Sequence, residues 1–364
     1  MQLPFAPRPY ANEALSSWVS RLAAHNFVDA PTFVGWLTGE DVHEVRFSQA
    51  VQRRLAEVSG LTRQDIANLD RPLRHAPAGH LLRSSMTTGL RGGACTDCLE
   101  EADRAGRDHW LSAMATSIWT VTCERHSGRL LELRGFRWRS FQGGLRLHHR
   151  SDDGQVQLRA SARPSGFLTI CQAAFTRALQ GRSPGRLWRT RNPREFLRCA
   201  EALLAPVFWR AGAGGFSFAR FFDEIEGYGR HSFYVNEGND GGTLAELAGE
   251  DVRTRATAVT AIGYLLLTSD ALAKPDWSRS LPIDAHSNSF TSLLDHLNGR
   301  QIASLHESAR GWPDCIARPL YAAAAENSSR GVESHLFRSS VRMVVGAKRA
   351  KRRISGPVSS IPTH

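Results

Sequence analysis

Cys95-Thr-Asp-Cys98 and Cys123-Glu-Arg-His126 are the residues whose types and spacing most directly imply chemistry. Each pair leaves two residues between its donors, so the backbone can bend into a tight knuckle and aim both side chains at one ion. Three thiolates and one imidazole are donors that zinc prefers, and together they fill four tetrahedral positions. A closed shell of this kind implies one structural zinc, with no position left for a substrate or a reactive water. The same residues leave two other readings open, incidental thiols and a redox Cys-x-x-Cys. The redox motif belongs where a strand feeds a helix in a βαβ unit, and none is legible around Cys95. Gly92-Gly93 reads as a loop entering the first knuckle.

The chain of 364 residues exceeds the usual single-domain size, so two or three domains are expected. Its 41% hydrophobic and 22% charged residues are ordinary for a folded soluble protein. No run approaches the roughly 18 apolar residues that span a bilayer, so no membrane partner is expected. The opening Met-Gln-Leu-Pro-Phe-Ala-Pro has neither a basic nor an apolar leader segment, and half of the 6 cysteines stand in the knuckles. Both features point to a reducing, cytoplasmic setting. Lys+Arg of 46 against Asp+Glu of 35 gives +11, a field that favours polyanions, most simply nucleic acid. Arginine's planar fork suits phosphates, base edges and protein carboxylates alike, so charge alone does not separate DNA from an acidic protein.

The elements that must position the knuckles read as mainly α. Asn12 is placed to cap a first helix with Leu15, Trp18, Val19 and Leu22 on one face. Asp29 and Pro31 start a second helix that Gly39 ends. A third runs from near Ser48 to Gly60, and Thr62 with Asp65 caps a fourth. Helix, Ser59-Gly60-Leu61, helix has helix-turn-helix spacing, in which Arg63 and Gln64 would reach base edges or phosphates; an ordinary αα corner fits the same residues. Arg71 continues a basic stretch. Between the knuckles, 108–117 reads as a helix and 118–122 as a strand delivering Cys123, with Trp110 and Trp119 packed over a zinc-ribbon-like module.

Pro7, then Asn12-Glu13-Ala14-Leu15-Ser16-Ser17-Trp18-Val19-Ser20-Arg21-Leu22-Ala23, resembles the proline, E-S-L-x-S-W-L-x-R-L-A opening of the TniQ family of transposition proteins. Cys-x2-Cys, a tryptophan-containing spacer, then Cys-x2-His followed by Leu130 and Leu131 resembles that family's zinc module. Two motifs in the same order, covering roughly the first 140 residues, are more specific than either alone. Ala14 stands where the family usually has serine, and Glu124 where proline often follows the third ligand; neither change removes a donor. The resemblance implies a non-enzymatic accessory, able to act as a dimer, that recognises a target on DNA or through a guide-RNA complex. It further implies recruitment of an AAA+ ATPase and, through it, the transposase.

Past the knuckles, Arg134, Arg137 and Arg139 interleave with Phe136, Trp138 and Phe141, which reads as a nucleic-acid contact or as a strand with one buried aromatic face. A hairpin or surface excursion is expected around Ser151-Asp152-Asp153-Gly154. From 165 the pattern is helical, with helices expected from 165 to Gly181, after Asn192-Pro193, over 216–225, after a capping box at Thr243, over 252–267 and up to Leu305. Gly311-Trp312-Pro313 breaks the array. Leu244 to Gly249 followed by Val252 has a second helix-turn-helix cadence, with Arg253 and Arg255 open to phosphates. The tail carries Lys348, Arg349, Lys351, Arg352 and Arg353 as a disordered polyanion-binding segment. The expected organisation is 1–78 helix-turn-helix-like, 79–142 zinc-binding, 143–345 helical and 346–364 tail.

No Gly-x-x-x-x-Gly-Lys loop is present. Asp152-Asp153, Asp223-Glu224-x-Glu226 and His148-His149 lack the spacing of a metal nuclease, and no serine or cysteine nucleophile signature appears. The expectation is therefore no enzyme. A zinc-stabilised sequence-specific DNA-binding regulator is the alternative, and a metal-dependent nuclease the third reading.

Overall fold

The structure, a computed structural model, describes residues 2–39, 49–69, 71–77, 80, 93–133, 136–141, 144–149, 164–209, 217–220, 222, 244–268 and 289–329. Among them the fold is mainly α, as expected.

Helix α1 (Leu15–His25) buries Leu15, Trp18, Val19 and Leu22, the face its 3.6-residue period presents. Asn12 is not its cap. Asn12 adopts a left-handed backbone (φ 62), and Ala14 takes the cap position without a side-chain bond. Helix α2 (Ala30–Thr38) starts where Asp29 accepts from the Thr32 N–H and stops at Gly39, whose φ of 71° costs glycine little. Helix α3 (Gln49–Ser59) turns at Gly60 into α4 (Arg63–Ala67), capped by the reciprocal Thr62–Asp65 box. Leu22, Val34, Leu55 and Ile66 close these four helices around one core. The helix-turn-helix expectation for α3 and α4 fails on length. Five residues rise only about 7.5 Å, too little to lie along a groove, so the pair is an αα corner.

Strand β1 (Gly93–Ala94) pairs antiparallel with β2 (Leu131–Glu132), in register Gly93↔Glu132 and Ala94↔Leu131. Helix α5 (Thr96–Arg104) begins inside the first knuckle. The helix expected over 108–117 does not form. Its backbone is taken by the α1 lead-in, with Ala14 N–H donating to Leu111 O (2.8 Å) and Ala113 N–H to Asn12 O (2.8 Å), and only Ala113–Thr116 makes a 3-10 turn. The strand expected over 118–122 is likewise a turn followed by one bridge, Thr122 to Arg129. Strands β3 (Phe136–Phe141) and β4 (Gly144–His149) pair antiparallel, from Phe136↔His149 to Phe141↔Gly144; the excursion expected around 151–154 lies outside the described residues.

The second half is helical: α6 (Gly166–Leu179), α7 (Pro193–Phe208), α8 (Leu244–Gly249), α9 (Val252–Leu266), α10 (Ser289–Leu294), α11 (Gly299–Ser308) and α12 (Asp314–Ser329). Asn192 caps α7 as its sequence suggests, accepting from the Arg194 and Glu195 N–H groups. Helix α9 lies against α6 and α7 at the centre. Where α9 meets α6, a Cβ on Gly263 would stand 2.4 Å from Cys171 Sγ, so only glycine allows the approach. All of α9 except Arg253 is buried, so the second helix-turn-helix expectation also fails: its second helix is core. The chain does break at Gly311-Trp312-Pro313, but the helix α12 beyond it was not anticipated. The helix expected over 216–225 and the cap at Thr243 lie largely outside the described residues.

Packing crosses the expected boundary near residue 142. Trp119, Ile118 and Val121 share one core with Phe175, Phe196 and Tyr264. Trp119 stacks on Phe175 (centroids 4.9 Å), and Val121 N–H donates to Gln172 Oε1 at 2.8 Å.

Candidate metal centre

The first knuckle is built by a strand that ends and a helix that begins. Cys95 is the cap residue of α5 and Cys98 lies in its first turn, where the helix dipole favours thiolates. The second knuckle closes on itself: Ser127 N–H donates to Cys123 O (2.9 Å) and Cys123 N–H to Gly128 O (2.8 Å), with Ser127 left-handed (φ 54). The two knuckles bring Cys95, Cys98, Cys123 and His126 together, their donor atoms all within 4.8 Å of one another.

The spacing tests the donor set against an ion. Zinc bonds of about 2.3 Å to sulfur and about 2.0–2.1 Å to nitrogen require tetrahedral edges of about 3.8 Å between sulfurs and about 3.6 Å from sulfur to nitrogen. Cys98 and Cys123 Sγ stand 3.7 Å apart. His126 Nδ1 lies 3.4, 3.3 and 3.7 Å from Cys95, Cys98 and Cys123 Sγ. The residues fit a four-coordinate ion.

His126 Nε2 faces Glu101 Oε1 at 2.9 Å, and Arg125 Nη2 donates to Glu101 Oε2 at 2.6 Å. A carboxylate on the distal ring nitrogen fixes the tautomer that leaves Nδ1 free to ligate. The His126 bond holds the Glu101 carboxyl below its usual range. Burial opposes a charge on His126, but Glu101 and Cys123 together raise its pKa. Bonds from Cys95 and Cys98 hold Cys123 far below the ordinary thiol range, while bonding to Cys123 pushes Cys95 up to about 11 and Cys98 higher still. Glu101 escaped the sequence reading; its only signal was an acid three residues past Cys98 on the same helix.

A second cluster ties this module to α1. Arg21, 1% exposed, donates through Nε and Nη2 to both oxygens of Glu13, itself 0% exposed, at 2.8 Å each. Its Nη1 reaches Asp108 Oδ2 at 2.7 Å, and Asp108 Oδ1 accepts from the Leu145 N–H of β4 at 2.8 Å. Ser17 Oγ donates to Glu13 and accepts from Leu111 N–H, while Trp18 Nε1 donates to Pro7 O.

Residues 4–130 match the model of the TniQ family. They form a TniQ domain. No curated protein and no solved structure gives a match to the chain. The domain marks a transposition-associated protein. The matched stretch closes just past the second knuckle. Of the residues by which its opening resembles the family, Glu13, Ser17 and Arg21 lash α1 to residues 108–112, while Trp18 packs into the core of the four N-terminal helices.

The other sequence-derived candidates sit on separate elements. Arg63 and Gln64 are exposed on α4, Gln64 Nε2 donating to Asn68 Oδ1 at 3.1 Å, and Arg71 is exposed in a 3-10 turn. Arg137 and Arg139 lie on β3, their backbones paired with His148 and Arg146 of β4. Arg253 is exposed at the start of α9. Arg255 is not open to phosphates: it is 1% exposed, with Nη2 3.8 Å from Glu132 Oε2 and Nη1 donating to Ser117 O at 3.5 Å. Arg134, Lys348, Arg349, Lys351, Arg352 and Arg353 lie outside the described residues. Among the described residues no helix is long and apolar enough to cross a membrane.

Proposed function

We propose that this protein is a transposition adapter without chemistry of its own, which recognises a target as DNA or as a guide-RNA complex and recruits an AAA+ ATPase and, through it, the transposase. The observation that carries this is the TniQ match over residues 4–130, coincident with a four-donor metal knot and the Glu13–Arg21–Asp108 network. The ion is one zinc, held by Cys95, Cys98, Cys123 and His126; it clamps the recruitment domain and leaves no open coordination position. Exposed Arg63, Gln64, Arg71 and Arg253, with Arg137, Arg139 and the 348–353 tail, supply contacts to nucleic acid, and two copies of the chain can act together. The working parts are the helical 1–78, the metal module 79–142, the helical 143–345 and the tail.

A pull-down from the native cell tests this. Recovery of an AAA+ transposition ATPase by the wild type, lost on Cys123→Ser, is the expected result. Sequence-specific DNA without an ATPase would favour a regulator instead, and magnesium-dependent cleavage would refute an adapter.

A further inference from the structure

The α6–α7 connection and the first turns of α7 carry a dense run of arginines. Arg182, Arg186, Arg191, Arg194 and Arg198 are all exposed, and none forms an ion pair among the described residues. The acid among them, Glu195, accepts from Thr190 Oγ1 instead. Arg182 feels Glu124 of the second knuckle, whose carboxylate accepts from Gln180 Nε2. Arg191 and Arg194 flank the N-terminus of α7, where the helix dipole disfavours cations, so their placement does nothing for the fold.

The backbone that presents them is fixed. Trp188 bridges Leu267, Arg189 N–H donates to Leu266 O (3.0 Å) and Thr268 N–H to Leu187 O (3.1 Å). Trp188 is buried edge-on against Phe196, and Arg189 Nε donates to Leu265 O at 3.0 Å. Little backbone ordering remains to be lost on binding. The surface continues into the TniQ domain. The His75 ring lies so close to Gly181 that a Cβ there would meet Cγ at 2.8 Å, which brings exposed Arg74, bonded to His75, beside Arg182. Among the described residues the exposed large hydrophobics, Phe5, Phe27, Val28 and Trp36, are all elsewhere. Among the described residues the patch thus has cations for a phosphate backbone and no exposed aromatic on which unpaired bases would stack.

We propose that this arginine surface is a backbone-binding platform for double-stranded DNA, and that it, with Arg253 as a lesser contribution, is the helical half's main contact with nucleic acid. The choice of DNA over duplex RNA rests on the transposition reading; the platform itself does not.

The test measures binding of the full chain to a duplex of arbitrary sequence as salt is varied. Two variants each lose five positive charges: Arg182, Arg186, Arg191, Arg194 and Arg198 to alanine, or Lys348, Arg349, Lys351, Arg352 and Arg353 to alanine. Each phosphate contact contributes about 0.9 to the slope of log K against log salt. The platform variant is expected to flatten that slope by about 4.5, so that raising salt from about 50 to about 200 mM costs it roughly 500-fold less affinity than the wild type. Arginine-to-lysine substitution at the same five positions keeps the charge and the slope. A change below about 1 with helical circular dichroism intact, the tail variant alone flattening the slope, overturns the platform. Tighter binding of duplex RNA overturns the choice of DNA. A flattened slope with no ATPase recovered from cells sinks the adapter and leaves the platform; an ATPase recovered with the slope unmoved does the reverse.

Discussion

Arg21→Ala removes the cation that joins α1 to the metal module, and its cost follows from what is left behind. The substitution deletes two bonds to Glu13, one to Asp108, one to Arg8 O and the contact of the guanidinium with the Tyr10 ring at 4.5 Å. Asp108 retains His25 Nε2 at 2.8 Å and the Leu145 N–H. Glu13, fully buried, keeps only Ser17 Oγ and the Tyr10 N–H as donors. Breaking a buried pair by removing one partner costs about 3–5 kcal/mol, a large share of the ~5–15 kcal/mol that holds a domain. A melting point lower by about 10 °C is expected by circular dichroism. No metal ligand is touched, so the zinc content of the folded protein stays at the wild-type level. Glu13→Leu with Arg21→Met leaves no stranded charge and is expected to cost far less than the single change. A loss below about 1 kcal/mol for Arg21→Ala, or a double variant as unstable as the sum of its parts, would refute the reasoning.

Cys123→Ser opens the closed shell, and metal analysis of protein purified without chelator should find about one zinc in the wild type and none in the variant, with the near-ultraviolet signal of Trp119 and Trp110 reduced. Glu101→Gln keeps the four donors but loses the carboxylate behind His126; competition with a chelator should show metal affinity weaker by about 10–100-fold, and an unchanged affinity would deny Glu101 its orienting role. Burial lowers the pKa of His80, whose Nδ1 accepts from Trp119 Nε1 at 2.8 Å, and Glu201 only partly restores it. Its folded pKa lies below the unfolded value of 6.5, so the stability it contributes is complete above that value and lost as pH falls through the window beneath it. Melting points measured down that window should fall less steeply for His80→Gln.

Local chemistry was legible in the chain, and tertiary chemistry was not. Asp29 to Gly39, Thr62 with Asp65, and Asn192 with Pro193 announce helix ends because a cap bonds within three residues of itself. The knuckles are equally local, and their spacing brought the four donors to one place. The segment 108–122 misled because its backbone partners are Asn12, Ala14 and Arg129, invisible to any window of sequence. Arg255 has the look of an exposed helical arginine; only the packing of α9 shows it buried against Ser117 and Glu132. Helix α12 was hidden by Pro319, which interrupts the pattern ahead of Ala322, Ala323, Ala324 and Ala325. The resemblance to the TniQ family identified Glu13, Ser17, Trp18 and Arg21 without indicating what they do; their bonds supply that.

The stacking of Trp119 on Phe175 has a mechanical side. A zinc finger strung on linkers can pivot while its neighbours stay still. Here Val121 and Trp119 are set into the helical half, and Glu132 accepts the Val252 N–H that opens α9. A pull on α1, passed through Arg21 to Asp108, would meet these bonded contacts between the metal module and the helical half rather than a free linker.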